Sequence, residues 1–393
     1  FIGDPDQLPS VGAGNVLHDL LKSPFVSKFQ LTQVFRQAKE SYIVRYAHQI
    51  NQGLLPKIDT PIEKPDLWKS KTDCLFIDSE EATKEQLNFI GRAKKTVKSI
   101  IETNTSSIIT SEDKTIGILS KKDNEQVVLR NVEEEVSDFS SFQIPKKFLH
   151  IDFNHLINSR SEVDELRNIL KKIPPHSSLN YGLTALDTIK RLYTKTLPNI
   201  LGPQAEIQIL SPQVRGSLGT ANLNQVIQET VNPSTQGKND IQIGAKTFRE
   251  SDRVIQTKNN YELGVFNGDI GKILNIDPQE GQCLVLFKSG KTEREVLYEK
   301  GDIAQLTLAY AITVHKSQGS EFEAVIIPVS TQHFKMLFRN LIYTGLTRAK
   351  KRLVFVGSRK ALAMAAKKVD SSKRQTALTY LVNQKLEGYS EEE

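Results

Sequence analysis

Five stretches of this chain gather side chains suited to handling anions. The first is Gly3-Asp4-Pro5-Asp6-Gln7-Leu8-Pro9-Ser10-Val11-Gly12. Phe1 and Ile2 read as the end of a buried strand, so Asp4 and Gln7 fall just past a strand's carboxyl end, the edge where open α/β sheets bind ligands. A carboxylate and an amide there could orient water or a metal and touch a terminal phosphate. Asp4 could equally cap a helix in a Pro-rich turn. The second stretch, Leu31-Thr32-Gln33-Val34-Phe35-Arg36-Gln37, places Arg36 behind a buried aromatic, able to aim at an anion or to form a surface ion pair. The third, residues 211–220, leads into Asn222-Leu223-Asn224. Its glycines beside Arg215 could present backbone N–H groups to a phosphate, or simply turn a strand into a helix.

The fourth stretch runs from Leu308 to Phe322. Read as a helix, it puts Thr313 and Lys316 on one face and ends in the donors His315, Lys316, Ser317 and Gln318. Glu321 follows the Gly319 turn, where a carboxylate could meet a ribose hydroxyl. In the fifth, Leu341 to Lys350, Thr344 and Arg348 share a face of an apolar helix. An arginine on so apolar an element must be paired, or delivered to a ligand's phosphate.

The elements that must position these residues follow from periodicity. Helices are expected over Val16–Leu21, around Ile43, Ala47 and Ile50, over 80–101, over Leu306–His315 and over Leu337–Lys350. Strands are expected at Cys74–Ile77, Ile207–Leu210, Ile270–Ile276, Cys283–Phe287, Ala324–Val329 and Leu353–Val356. The alternation predicts an α/β sheet domain, with a small antiparallel module that reads as a barrel inserted at 263–301. Residues 105–180 are rich in Ser, Lys, Glu and Asn and read as an insertion, and the tail from Lys385 to Glu393 reads as frayed.

The bulk numbers exclude several classes. At 393 residues, with 38% hydrophobic and 25% charged residues, the chain suits two or three soluble globular domains. It has no apolar run of membrane-spanning length and no signal peptide, so no membrane partner is expected. Cys74 and Cys283 are the only cysteines, far apart and without metal-ligand spacing. A metal site built from this chain is therefore not expected, and a reducing, cytoplasmic setting is. The net charge of +6 (52 Lys plus Arg against 46 Asp plus Glu) permits a polyanionic partner without requiring one.

Taken in order, these blocks resemble motifs three to six of superfamily-one helicases, specifically the RecD-like group that includes the exonuclease V alpha subunit. The matching segments are GDPDQLPSVGAG (3–14), LTQVFRQ (31–37), ILSPQVRGSLGTANLN (209–224), FNGDIGKI (266–273), AYAITVHKSQGSEF (309–322) and IYTGLTRAKKRL (342–353). The resemblance covers about 1–60 and 205–357. It implies the end of a first RecA-like motor domain at 1–28. A second RecA-like domain would comprise 29–104, 181–262 and 302–384, with a small β-barrel inserted at 263–301. Gln7 would sense the γ-phosphate, with Asp4, Gly319 and Glu321 near the nucleotide. Arg36 and Arg348 would be arginine fingers, and Thr313, His315 and Asn224 would face the DNA.

The resemblance further implies a 5′ to 3′ ATP-dependent DNA helicase acting on single-stranded DNA in recombination or repair, with other recombination subunits as possible partners. ATP and Mg²⁺ would be its cofactors. The Gly-Lys-Thr phosphate loop and Asp-Glu pair that such a motor needs do not occur in these 393 residues. Phe1 and the absent loop together suggest that the natural beginning lies upstream, the Mg²⁺ ligands with it, and that this chain alone hydrolyses ATP slowly or not at all. A competing expectation is a non-hydrolysing nucleic-acid-binding remnant, such as a relaxase-linked helicase segment.

Overall fold

Runs such as Ile207-Gln208-Ile209-Leu210-Ser211 and Phe322 to Val329 are too apolar to lie anywhere but between two layers, and the fold puts them there. The computed structural model describes all residues except 10, 11, 13, 32–39, 109–152, 154–159, 175, 236, 290, 291, 370–375 and 391–393. Its strands are β1 (Cys74–Asp78), β2 (Ile207–Ser211), β3 (Asp240–Ile243), β4 (Lys246–Arg249), β5 (Arg253–Gln256), β6 (Ile270–Asp277), β7 (Gln282–Ser289), β8 (Thr292–Tyr298), β9 (Leu306–Leu308), β10 (Ala311–Thr313), β11 (Phe322–Val329) and β12 (Ala349–Gly357).

The main sheet has the order β1-β12-β11-β2-β10, with β10, β2, β11 and β12 paired in parallel. Its two faces feed two separate cores, as the period of two demands. Val325, Ile327, Leu353 and Phe355 pack with Ile43, Ile50, Leu341 and Leu362. Their alternates Ala324, Ile326, Val354 and Val356 pack with Ile189, Leu223 and Ile227. Helices Tyr42–Asn51, Arg339–Leu346 and Arg359–Lys367 thus cover one face, and Ala185–Arg191 and Thr220–Val231 the other. This is the expected α/β, RecA-like arrangement.

The helix Tyr42–Asn51 is anchored by a carboxylate at its positive end. Asp73 accepts from the Tyr42 and Ile43 N–H groups at 2.9 and 3.2 Å and from the Ser41 hydroxyl at 2.5 Å, while Ser41 caps Val44.

The second sheet is antiparallel, in the order β8-β7-β6-β5-β9, around Phe248, Val254, Ile273, Val285, Tyr298 and Leu306. The β3–β4 hairpin adds Ile241 and Phe248 to the same core. This small module runs from Asp240 through Leu308, wider than the expected 263–301. The missed strands are only three or four residues long, below the length at which alternation is legible in sequence.

Residues Asp78–Thr184 form a second compact unit with a core of its own. Phe89, Ile90 and Ala93 of helix Lys84–Ile108 pack with Phe153, Leu166 and Ile169, and helix Arg160–Lys171 supplies the last two. This unit therefore begins before the expected insertion boundary of 105, because the apolar face of the helix from Lys84 is buried inside it. No described helix is long and apolar enough to cross a membrane.

Three further expectations are corrected. Phe1 and Ile2 are fully exposed and lie in no strand, since the described residues offer no neighbouring strand to bury them. Leu306–His315 is not a helix but β9, β10 and the start of a 3₁₀ turn, Val314–Ser317. The tail does not fray at Lys385: helix Leu378–Ser390 continues, with Thr379 Oγ1 donating to the Asp19 carbonyl at 3.0 Å and Ser23 Oγ to Asn383 at 2.6 Å.

Candidate functional site

The turn after Gly3 folds on the side chain of Asp4, whose carboxylate accepts from the Asp6 N–H at 3.0 Å, Gln7 Nε2 at 3.1 Å and the Tyr343 hydroxyl at 3.1 Å. In this turn Asp4 orients Gln7. With its nitrogen held by Asp4, Gln7 turns its oxygen to Arg348, which donates from a terminal nitrogen at 3.2 Å. Residues 341 positions apart are joined here by one hydrogen bond.

Further contacts fix this turn against helix Arg339–Leu346. The Leu8 N–H donates to Thr344 Oγ1 at 2.8 Å, Gln318 Nε2 donates to the Leu8 carbonyl at 2.6 Å, and Asn340 reaches the Gln7 carbonyl at 3.4 Å. Leu8 itself is buried in the core on that side of the sheet.

Arg348 is only 7% exposed. It donates to the carbonyls of Thr344 and Ser320, both at 3.1 Å, to Thr347 Oγ1 at 3.0 Å and to Gln7. All four partners are neutral, and among the described residues no carboxylate comes within ion-pair distance of it. Desolvation lowers its pKa, opposed by the more distant charges of Glu321 and Asp4. An arginine does not give up its proton under such pressure, so the charge stays. Burying a guanidinium on neutral acceptors is costly, and the arrangement suits an incoming anion better than a structural ion pair. Next to it, burial and the Asp4 carboxylate push the Tyr343 hydroxyl upward, so Tyr343 acts as a donor.

Around the nucleotide-side candidates, Gly319 has φ +82° with open space at its Cβ position, and exposed Glu321 pairs with Lys350 at 3.2 Å. Thr313 caps the 3₁₀ turn, its Oγ1 accepting from the Lys316 N–H at 3.4 Å, and His315 lies half-buried in that turn. Lys316 is exposed, and desolvation together with the charge of Lys246 lowers its pKa. Thr313 and Lys316 stay close in space, though through a turn rather than the expected helix face.

The end of the Gly-rich loop turns its N–H groups inward, the Gly219 N–H donating to the Gly216 carbonyl at 3.0 Å. Thr220 N–H donates to the Gln213 carbonyl and Ala221 N–H to the Val214 carbonyl, both at 3.1 Å. A Cβ at Gly219 would collide with the carbonyl oxygens of Val214 and Arg215, which explains the glycine without a phosphate. Asn224 is buried, its Nδ2 donating to the carbonyls of Leu308 and Ala311 at 3.0 and 2.9 Å and its Oδ1 accepting from the Ala311 N–H at 2.8 Å. The amide expected to face DNA instead holds β10 in place, one step removed from Thr313 and His315. Arg36 lies outside the described residues.

Two residues escaped the sequence reading. Tyr343 sits beside Thr344 in the apolar helix and looks like core. Asp252 is fully buried and accepts from Gln228, Asn232, the Arg249 N–H and Tyr310 at 2.6 to 2.8 Å. Its partners are scattered along the chain, so no local spacing betrays it. Among the described residues, no group of three or more His, Cys, Asp or Glu side chains could hold a metal.

Parts of the chain match known protein families. Residues 223–287 match the SH3 domain of ATP-dependent RecD-like DNA helicases, 308–356 the C-terminal domain of UvrD-like helicases, and 1–64 an AAA domain. The ATP-dependent RecD2 DNA helicase of Deinococcus radiodurans is 38% identical over 45% of this chain and 24% of its own length. The RecD subunit of the RecBCD enzyme of Haemophilus influenzae is 24% identical over 97% of this chain and 50% of its own. Among solved structures, a Pif1 helicase from a forked-DNA unwinding complex aligns with 18% identity over 55% of this chain and 50% of that chain, at a TM-score of 0.31. That superposition is too loose to carry an argument. The family matches and relatives are helicases, and together they support a likeness to RecD-like superfamily-one helicases. The chain spans half or less of the length of these two curated relatives.

Proposed function

We propose that this chain supplies the second motor domain, and the end of the first at 1–28, of an ATP-dependent DNA helicase that travels along single-stranded DNA. Arg348 acts as an arginine finger, and Gln7 links it to the turn at Asp4. The single observation carrying this reading is the bond between Arg348 and Gln7, made by a buried guanidinium that has only neutral partners.

In this reading a γ-phosphate oxygen replaces Gln7 Oε1 as a partner of Arg348. The guanidinium then stabilises charge on the transferring phosphoryl group. Gln7, released on one side and still held by Asp4 on the other, reports nucleotide state to the turn carrying Leu8, and through Gln318 to the Thr313–His315 segment. Gly319 and Glu321 lie beside the nucleotide, Arg36 is a second finger, and Thr313 and His315 face the strand. ATP is the substrate, and Mg²⁺ accompanies its phosphates.

The 5′ to 3′ polarity rests on the family resemblance alone. Work in recombination or repair, alongside other subunits, is proposed because relatives include a RecBCD subunit.

The test is single-strand-stimulated ATP hydrolysis by the full-length protein. Arg348→Ala should lower kcat on the order of 10³-fold while leaving nucleotide affinity nearly unchanged. Arg348→Lys should also fail, since a lysine cannot reproduce the planar fork. An unchanged kcat in Arg348→Ala would remove the finger role.

A further inference from the structure

The Gln7 amide has two ends of nearly the same shape and opposite hydrogen-bonding sense, and its neighbours leave it one usable orientation. The Asp4 carboxylate only accepts, and the Arg348 guanidinium only donates. Gln7 therefore gives Nε2 to Asp4 Oδ2 at 3.1 Å and Oε1 to Arg348 at 3.2 Å. Turned end for end, it would set two acceptors face to face on one side and two donors on the other. The aim of Gln7 thus depends on Asp4 standing where it does.

Within the turn, the Asp4 carboxylate has one restraint besides Gln7, the Asp6 N–H donating to Oδ1 at 3.0 Å. That bond alone lets the carboxylate swing and carry Oδ2 away from Gln7. The restraint on Oδ2 comes from outside the turn. The Tyr343 hydroxyl donates to it at 3.1 Å, across 339 positions of sequence. Among the described residues, no other side chain beyond the turn bonds this carboxylate. Burial and the negative charges of Asp4 and Asp6 raise the hydroxyl's pKa, so it keeps the proton it donates. Packing does not call for a hydroxyl here. Leu341, Ile342 and Thr344 around it are fully buried, whereas Tyr343 keeps part of its surface in water, and a phenylalanine would fill the same space.

Tyr343 lies in helix Arg339–Leu346, and Arg348 follows two residues past its end. One element therefore grips the Asp4–Gln7 pair from both sides, by a hydroxyl at the acid and a guanidinium at the amide. We infer that Tyr343 is a positioning residue: its hydroxyl fixes the Asp4 carboxylate, and through it the Gln7 amide, in the orientation that presents an acceptor to Arg348. This rests on the finger reading above. When Arg348 turns to the phosphate, Tyr343 still holds Asp4, and Gln7 stays aimed to receive the guanidinium once the phosphate leaves.

The test is strand-stimulated ATP hydrolysis by the full-length protein, with kcat, KM and Tm measured separately. Tyr343→Phe keeps the ring and removes the hydroxyl. It should lower kcat roughly tenfold, the worth of one hydrogen bond to a charged group, with KM for ATP and Tm unchanged. A purely structural tyrosine would move Tm and leave kcat alone. In a Gln7→Ala background, Tyr343→Phe should add no further loss, because its effect passes through Gln7. Wild-type kcat in Tyr343→Phe, beside an Arg348→Ala protein that has lost activity, would overturn the positioning role and leave the finger standing. Equal losses in both backgrounds would overturn it as well, since the hydroxyl would then act by a route outside Gln7. Arg348→Ala at the wild-type rate would overturn the finger and this role together.

Discussion

At the scale of single residues, this chain buries two cationic side-chain types and treats them oppositely. His333 is 1% exposed, and neither ring nitrogen has a hydrogen-bond partner. Desolvation pushes its pKa from 6.5 down to about 4, so it is buried neutral. Arg348 has no such escape, and its retained charge is what makes it a candidate for an anionic ligand. The histidine has a consequence for stability. Its folded pKa lies below its unfolded one, so its contribution is fully present above about pH 6.5 and declines as pH falls toward about 4. The expected loss is about 3 kcal/mol across that window. Urea unfolding at a series of pH values should show this slope, and His333→Met should flatten it by one proton. An identical pH dependence in the two proteins would refute the assignment.

At the scale of elements, Asp252 ties three pieces together: helix Thr220–Val231 through Gln228, the β3–β4 hairpin through the Arg249 N–H, and the entry to β10 through Tyr310. Asp252→Ala leaves these buried donors without an acceptor and should cost about 3–5 kcal/mol, read as a lower urea midpoint. A loss under about 1 kcal/mol would mean that water or a rearranged side chain takes over. Much of the main sheet was legible in sequence, because strands such as Ala324–Val329 and Leu353–Val356 are apolar on both faces and flanked by helical patterns. The segment Leu306–His315 was not. Its apolar run suits a helix or a strand equally, and what decides is remote: Asn224 bonds both sides of the Ala311 peptide region, and β2 pairs with β10. The site was legible as residue types and order. Its wiring was not, since the Gln7–Arg348 bond and three of the four donors to Asp252 join positions 20 or more residues apart in the chain.

At the scale of the whole molecule, a parallel sheet carries a small antiparallel module whose sequence matches the SH3 domain of RecD-like helicases, and the first few residues meet helix Arg339–Leu346. The net charge of +6 is modest, so strand binding should come from local cations such as Lys316, Lys246 and Arg294 rather than from a global field. Affinity for single-stranded DNA should therefore fall with salt along a shallow slope, about −0.7 for each phosphate contacted, measured by titration at several salt concentrations. A salt-independent affinity would rule out phosphate contacts. The most direct measurement of the central claim is strand displacement by the full-length protein on a duplex with a single-stranded tail. The account predicts displacement that requires hydrolysable ATP, favours a 5′ tail and is abolished by Arg348→Ala. Tight binding of the tail with no ATP-dependent displacement would contradict it and leave a nucleic-acid-binding protein without a motor.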